Sequence, residues 1–325
     1  MYIQVVGAGS WGLALARLLA TNGHAVRLWC REEDRPEVLR ETRHSPLFLC
    51  DMAMPDTVEV SGEIDGDAEM AVLAAPSHAM RKVAGSLRFS KDTVRVSVAK
   101  GIENDTLYCM HEVINEVSGP CTALALSGPS HAEEVARDLP ASVVIAGKDE
   151  GACERAQAAF VSTTFRVYTS PDIVGVELGG ALKNVIAIAA GVCDGFSLGD
   201  NAKAALITRG LAEMARLGIA MGADPLTFSG LSGMGDLIVT CESRHSRNRR
   251  VGEKIASGLK LQDVLASSPM VAEGVRTAKS ALALARRHRV EMPITEHVYR
   301  VLYEDADPRE AVSALMLRDA KPERG

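Results

Sequence analysis

The stretch ELGGALKNVIAIAAG, residues 177–191, sets Lys183 and Asn184 inside an otherwise apolar helical pattern. An ammonium buried there needs a compensating partner. Desolvation lowers its pKa, which suits a group that hands a proton to a carbonyl under reduction and takes it back in reverse. Further on, LSGMGDLIVTCESRHSRNRRVG gathers Asp236, Thr240, Ser246, Arg247 and Asn248. Arg247 and Asn248 are the donor types that a phosphate demands, and Asp236 is a candidate partner for a protonated Lys183. A lysine snorkelling to solvent and a solvated charged face are the plain alternatives.

Two more candidates follow runs that read as strands. In VSVAKGIE, Lys100 comes directly after a buried-looking strand, and the carboxyl ends of strands in an open α/β sheet face the ligand crevice. In LSGPSHAEEVA, the amides of Gly128 to Ser130 and the Ser130 hydroxyl can bind a phosphate or carbonyl oxygen, with Ala132 close to a cofactor. A capping turn, Ser130 at the N-cap and Glu133 at N3, is compatible with that role. His131 beside them reads as an incidental helix-start residue. In PMVAEGVRTA nothing physical marks Val271 or Glu273, and a helix-start acid accounts for the latter.

These residues need elements to position them. YIQVVGAG, AVRLWCR, MAVLAAP, VRVSVAKG, TALALSGP and SVVIAGK each read as a strand ending in turn chemistry, with helical stretches between. Alternation of this kind predicts an α/β fold with a parallel, doubly wound sheet. The first strand runs into Gly7-Ala8-Gly9-Ser10-Trp11-Gly12, a G-x-G-x-x-G turn opening the helix WGLALARLLATNG. Gly7 permits the tight turn, Gly9 lets a pyrophosphate approach the backbone, and Gly12 lets helix and strand pack closely. Ser10 and Trp11 face the phosphates, with a core position the alternative for Trp11. The second strand ends at Arg31, whose planar fork can hold a 2′-phosphate and so favours NADP, unless the acids that follow engage it in a surface salt bridge. From Val174 on, long Ala-, Leu- and Met-rich helical patterns replace strands. Residues 1–172 are therefore expected to form a dinucleotide-binding domain and residues 173–325 an all-helical substrate domain, with a cleft between them.

The 325 residues suffice for two such domains. A formal charge of −6 speaks against a general polyanion binder, and the arginines from 244 to 250 lack interleaved aromatics, so no nucleic-acid partner is expected. Seven cysteines without CxxC or metal-ligand spacing suit a reducing compartment and predict no metal site. The first strand is expected to begin at Tyr2, leaving no room for a charged n-region and an apolar h-region. The most apolar run, Val185 to Cys193, reads as too short to span a bilayer. A cytoplasmic protein is expected. The apolar helical surface leaves a homodimer open.

GAGSWG, VAKG, GPSHAEE, ELGGALKNVIAIAAG, GLSGMGDLIVTC and SRNRRVG, in that order, resemble the bacterial NAD(P)-dependent glycerol-3-phosphate dehydrogenase family, and the likeness runs to about residue 315. The resemblance implies a Rossmann-type domain followed by an all-α domain of the 6-phosphogluconate dehydrogenase C-terminal type. It implies reversible reduction of dihydroxyacetone phosphate to sn-glycerol 3-phosphate with NADPH or NADH, feeding phospholipid synthesis. Lys183 matches the family's proton acceptor. Lys100, Gly128, Ser130, Asp236, Ser246, Arg247 and Asn248 match its substrate contacts. Ser10, Trp11, Arg31, Lys100, Ala132, Arg247, Val271 and Glu273 match its cofactor contacts. Another reductase of the same two-domain plan, such as a ketopantoate type, and a nucleotide-sensing protein without catalysis are the competing readings.

Overall fold

The computed structural model describes residues 1–266, 272–320 and 322–323. Its first part is a sheet of eight strands among the described residues: β1 (Tyr2–Val6), β2 (Ala25–Trp29), β3 (Val58–Ser61), β4 (Met70–Leu73), β5 (Val94–Ser97), β6 (Ala123–Ser127), β7 (Ala141–Ala146) and β8 (Phe165–Ser170). The spatial order is β3-β2-β1-β4-β5-β6-β7-β8. The helices of this part are α1 (Ser10–Thr21), α2 (Pro36–Thr42), α3 (Ser77–Ser86), α4 (Met110–Ser118), α5 (Ala132–Val135) and α6 (Glu150–Phe160). Strand side chains alternate between two cores. Ile3, Val5, Val72 and Val96 pack with α1 and α6, whereas Val6 and Leu73 pack with Met80 of α3 and Ile114 of α4. A sheet covered on both faces needs central strands that are apolar on both sides, as β4 is.

The sheet departs from the sequence expectation in two respects. The strands from β3 to β6 are parallel, but β7 runs antiparallel to β6 and parallel to β8. A parallel neighbour requires a full crossover back to the start of the strand. Here the connection holds one helical turn, α5, and the chain re-enters beside the end it has just left. The segments VEVS and FRVYTS also form strands, β3 and β8, that the sequence reading passed over.

The second part comprises α7 (Ile173–Gly195), α8 (Asp200–Ala220), α9 (Pro225–Ser229), a π-turn (Leu231–Gly235), α10 (Asp236–Glu242), α11 (Arg247–Ala256), α12 (Leu261–Ala266), α13 (Glu273–His288), α14 (Pro293–Tyr303) and α15 (Pro308–Met316). The axis of this part is α7, apolar all round because α8, α10, α11 and α13 surround it. With 23 residues it is long and apolar enough to cross a membrane, which corrects the length argument drawn from Val185 to Cys193. Its apolar window is 89% buried inside the protein, as a core helix requires.

Candidate active site

The glycine turn lies where β1 passes into α1. Gly7 holds φ at +118°, a conformation that L side chains rarely adopt, and a Cβ at Gly12 would collide with the Gly7 carbonyl. A Cβ at Gly9 would meet nothing within 4 Å. Trp11 packs its ring against the core near Phe165, at 6.5 Å between centroids, while its buried Nε1 has no partner. Open space above Gly9 and an unsatisfied indole N–H beside it are the features a bound pyrophosphate would complete, so these residues fit a dinucleotide.

From that turn a cleft of about 490 Å³ runs between the two parts of the molecule. Gly7, Gly9, Ser10, Trp11, Arg31, Lys100, Ser130, Ala132, Lys183, Asn184, Thr240, Ser246, Arg247, Asn248 and Glu273 all line it. Its inner end is built on α7 and α10. Lys183 is 5% exposed, so it does not snorkel, and its Nζ donates to Asp236 Oδ1 at 2.5 Å and to Thr240 Oγ1 at 2.7 Å. Lys100 reaches in from the end of β5 and donates to Asp236 Oδ2 at 2.7 Å and to the Gly128 carbonyl at 2.8 Å. One buried carboxylate thus serves two ammonium groups, leaving the cluster a net positive charge.

The electrostatics follow. Burial pulls the Lys183 ammonium down to about 8, the Lys100 charge adding to this and the Asp236 carboxylate opposing it. Burial pushes Asp236 up, but Lys100 and Lys183 outweigh it and hold the carboxyl below its usual range. His131, which also lines the cleft, is lowered by burial and by the same two ammoniums.

Side-chain hydrogen bonds separate residues free to meet a ligand from those already engaged. Asn184 donates both amide protons, to the Lys100 carbonyl at 3.0 Å and the Gly180 carbonyl at 3.2 Å. Its Oδ1 accepts from Asn248 Nδ2 at 2.8 Å, and Asn248 Oδ1 accepts the Gly274 amide at 2.9 Å. Ser246 caps α11 by accepting the Arg249 amide, which leaves its own proton to donate. Arg247 begins that helix and leans across the cleft to Ser10 Oγ at 3.4 Å, and burial lowers its pKa.

Three sequence readings need adjustment. The residue at the N-cap of α5 is His131, not Ser130, whose hydroxyl instead donates to the Gly128 carbonyl at 2.8 Å; Gly128 holds φ at +140°, and the turn it makes delays the helix by one residue. Arg31 is engaged by Asp34 through Nε at 3.1 Å and NH2 at 2.7 Å, because the two lie three residues apart on one turn. The outer edge of its guanidinium remains available. Thr240 was noted only as part of a polar cluster, yet it touches Lys183; its position four residues after Asp236 on one helix face was the available signal. Glu273 faces the cleft and accepts from Ser77, a contact with no sequence signal. Val271 lies outside the described residues. Among the described residues no group of His, Cys, Asp or Glu could hold a metal ion.

Comparison with known proteins gives one result along the whole chain. Residues 2–153 match the family described as NAD-dependent glycerol-3-phosphate dehydrogenase N-terminus, and residues 172–313 match the corresponding C-terminus. A glycerol-3-phosphate dehydrogenase [NAD(P)+] from Syntrophotalea carbinolica is 51% identical over 331 residues, 99% of each chain. One from Geobacter sulfurreducens is 51% identical over 330 residues, 99% of this chain and 98% of the relative. The crystal structure of glycerol-3-phosphate dehydrogenase from Coxiella burnetii superposes with a TM-score of 0.94 at 36% identity, covering 98% of this chain and 99% of that one. A ketopantoate reductase from Ralstonia eutropha, at 15% identity and a TM-score of 0.60 over 97% of this chain and 100% of its own, shares the fold alone.

Proposed function

The chain belongs to the NAD-dependent glycerol-3-phosphate dehydrogenase family, and we propose from that premise that it interconverts sn-glycerol 3-phosphate and dihydroxyacetone phosphate with NADPH or NADH. The observation that carries this reading is the Lys183–Asp236–Lys100 cluster at one end of a cleft whose other end is the glycine turn after β1. The cofactor, when bound, supplies or accepts the hydride. Gly7, Gly9, Ser10, Trp11 and Gly12 would hold its pyrophosphate, Arg31 its ribose edge, and Lys100, Ala132, Arg247, Val271 and Glu273 its remaining length.

Lys183 donates a proton to the ketone oxygen as negative charge develops there, and in reverse its neutral amine takes the alcohol proton. A pKa near 8 makes both forms accessible close to neutrality. Asp236 holds Lys183 on one oxygen and Lys100 on the other, which keeps both ammoniums aimed into the cleft. Asn184 has no proton left for a substrate, so it acts by fixing the Lys100 backbone. Ser246, Arg247 and Asn248, at the start of α11, clamp the phosphate, with Gly128 and Ser130 contributing beside Lys100. Binding at that remote group is converted into orientation of the reacting carbon.

The two parts of the chain, 1–172 and 173–325, act as separate domains in this reading, supported by the change from β8 to α7 at residues 170–173. Exposed Ile219, Leu226, Met234 and Ile238, on α8 to α10, support a homodimer formed through the helical domain. Seven free cysteines support a cytoplasmic setting.

Purified protein would be mixed with NADPH and either dihydroxyacetone phosphate or dihydroxyacetone, and loss of reduced-nicotinamide absorbance followed. The phosphorylated ketone is expected to turn over. Dihydroxyacetone should lose roughly a hundredfold or more in kcat/KM, since each charge-assisted contact is worth about 1.5–3 kcal/mol. Equal rates on both would overturn the phosphate assignment, and no turnover of either would overturn the activity.

A further inference from the structure

The start of α3 has no cap of its own. Pro76 precedes it and carries no acceptor side chain, yet a helix start leaves backbone N–H groups to be satisfied. The acceptor comes from the helical domain. Glu273 Oε1 accepts the Ser77 amide at 2.9 Å, and Oε2 accepts the Ser77 hydroxyl at 2.5 Å, between residues 196 apart in the chain. Ser77 is 2% exposed while Glu273 is half-buried at the cleft wall, and the bonds to a carboxylate are charge-assisted. A side chain at Gly101 would collide with Ser77 and crowd Glu273, and the glycine directly after Lys100 leaves room for them.

The contact completes a ring. The Lys100 carbonyl on the sheet domain accepts from Asn184 on α7, Asn184 accepts from Asn248 on α11, and Asn248 accepts from Gly274 on α13. Glu273, the residue before Gly274, then returns the connection to the sheet domain at Ser77. The place of closure matters. Ala74, at the end of β4, lies against Gly7 of the phosphate turn, and Lys100 belongs to the ammonium cluster. Ala75, Pro76, His78, Ala79 and Glu273 line the cleft between those two points. A dinucleotide with its pyrophosphate on the turn and its reacting ring at Lys183 has to cross this stretch.

We propose that Ser77 is a positioning residue for the cofactor: by holding Glu273 it keeps the helical domain seated over the part of the cleft that the nicotinamide half crosses. This rests on the dinucleotide reading above. With the clasp formed beforehand, cofactor binding need not supply the free energy of bringing the domains together. Asn248 of the phosphate clamp belongs to the same ring but keeps its own bonds to Asn184 and Gly274 when Ser77 releases Glu273, so the clasp acts on cofactor affinity far more than on substrate affinity.

The test is direct binding of NADPH to the full-length protein, followed by nicotinamide fluorescence, which needs no turnover. Ser77→Ala is expected to weaken binding roughly tenfold, the effect of one hydrogen bond to a charged group. Ser77→Thr, which keeps the hydroxyl, should restore it to within about threefold, and Glu273→Gln should weaken it comparably. The Ser77→Ala/Glu273→Gln double variant should bind about as well as the weaker single, because both changes break one contact. The KM for dihydroxyacetone phosphate at saturating NADPH should stay within about twofold in Ser77→Ala and Ser77→Thr, which melt as cooperatively as wild type. Unchanged NADPH binding in Ser77→Ala, losses that multiply in the double variant, no rescue by threonine, or an equal rise in substrate KM would each overturn the proposal. A wild-type protein that fails to bind NADPH would instead remove the functional reading, and the clasp's role with it.

Discussion

The two ends of the cleft handle charge in opposite ways. At the inner end the side chains of Lys183, Lys100 and Asp236 are 7%, 16% and 1% exposed, and every charge is held by the protein itself. At the outer end Arg31 pairs with Asp34 while 59% of its own side chain meets solvent. Desolvating three ionised groups is costly, and a lone buried ion pair is weak evidence of stabilisation. A cluster that keeps two ammoniums on one carboxylate is better understood as a site built to receive negative charge from a substrate. In the Arg31–Asp34 pair the acid is buried, its side chain 4% exposed, but the guanidinium is screened by water and salt. What it offers is orientation: the acid fixes one edge of the guanidinium and leaves the other for a ligand.

The sharpest way to break this contrast is Lys183→Ala. Turnover is expected to fall by roughly 10²–10⁴-fold, the range for loss of a positioned acid–base group. NADPH affinity should change by less than about threefold, since Lys183 lies beyond the glycine turn proposed to hold the phosphates. Asp236 keeps Lys100 as a partner, so the variant should remain folded. Near-normal turnover in a cooperatively melting variant would end the proton-donor role.

A second test uses pH. Lys183, lowered by burial to about 8, loses its proton as pH rises through that value. Ketone reduction needs the protonated form, so kcat/KM, which reports the free enzyme, should be level below about 8 and fall about tenfold per unit above it. Alcohol oxidation needs the neutral amine and should rise with pH to a plateau above the same value. Asp236 is the neighbour that opposes the lowering, so Asp236→Asn should move both breaks toward acid. Breaks that stay in place in Asp236→Asn would separate the rate from this cluster.

The smallest effect belongs to the outer end. Arg31→Ala should weaken NADPH binding by roughly threefold to tenfold at low salt and NADH binding by less, and added salt should narrow the gap. An equal loss for both nucleotides would mean that Arg31 does not read the 2′-phosphate.

How much of this was legible in the sequence depended on the range of the interaction. Gly7 and Gly12 are required by contacts within one strand–turn–helix unit, so their spacing could be read directly. Lys183 was legible because its neighbours on the helix are apolar, which makes an ammonium there anomalous. Strand β3 was missed because VEVS is only four residues with one face toward solvent. The reversal of β7 was missed because side-chain alternation is the same in parallel and antiparallel strands. Ser77 carried no signal at all, since its partner lies in the other domain.

Local patterning by itself therefore determined the α/β class, the change to helices near residue 172, the glycine turn and the anomalous lysine. These follow from backbone sterics and from the periods of apolar side chains, both properties of near neighbours in the chain. The tertiary structure alone decided that one carboxylate serves Lys100 and Lys183, that Asn184 spends its protons on carbonyls, and that a glutamate from one domain caps a helix of the other. Those outcomes depend on which donors and lone pairs remain unsatisfied once distant segments have packed together.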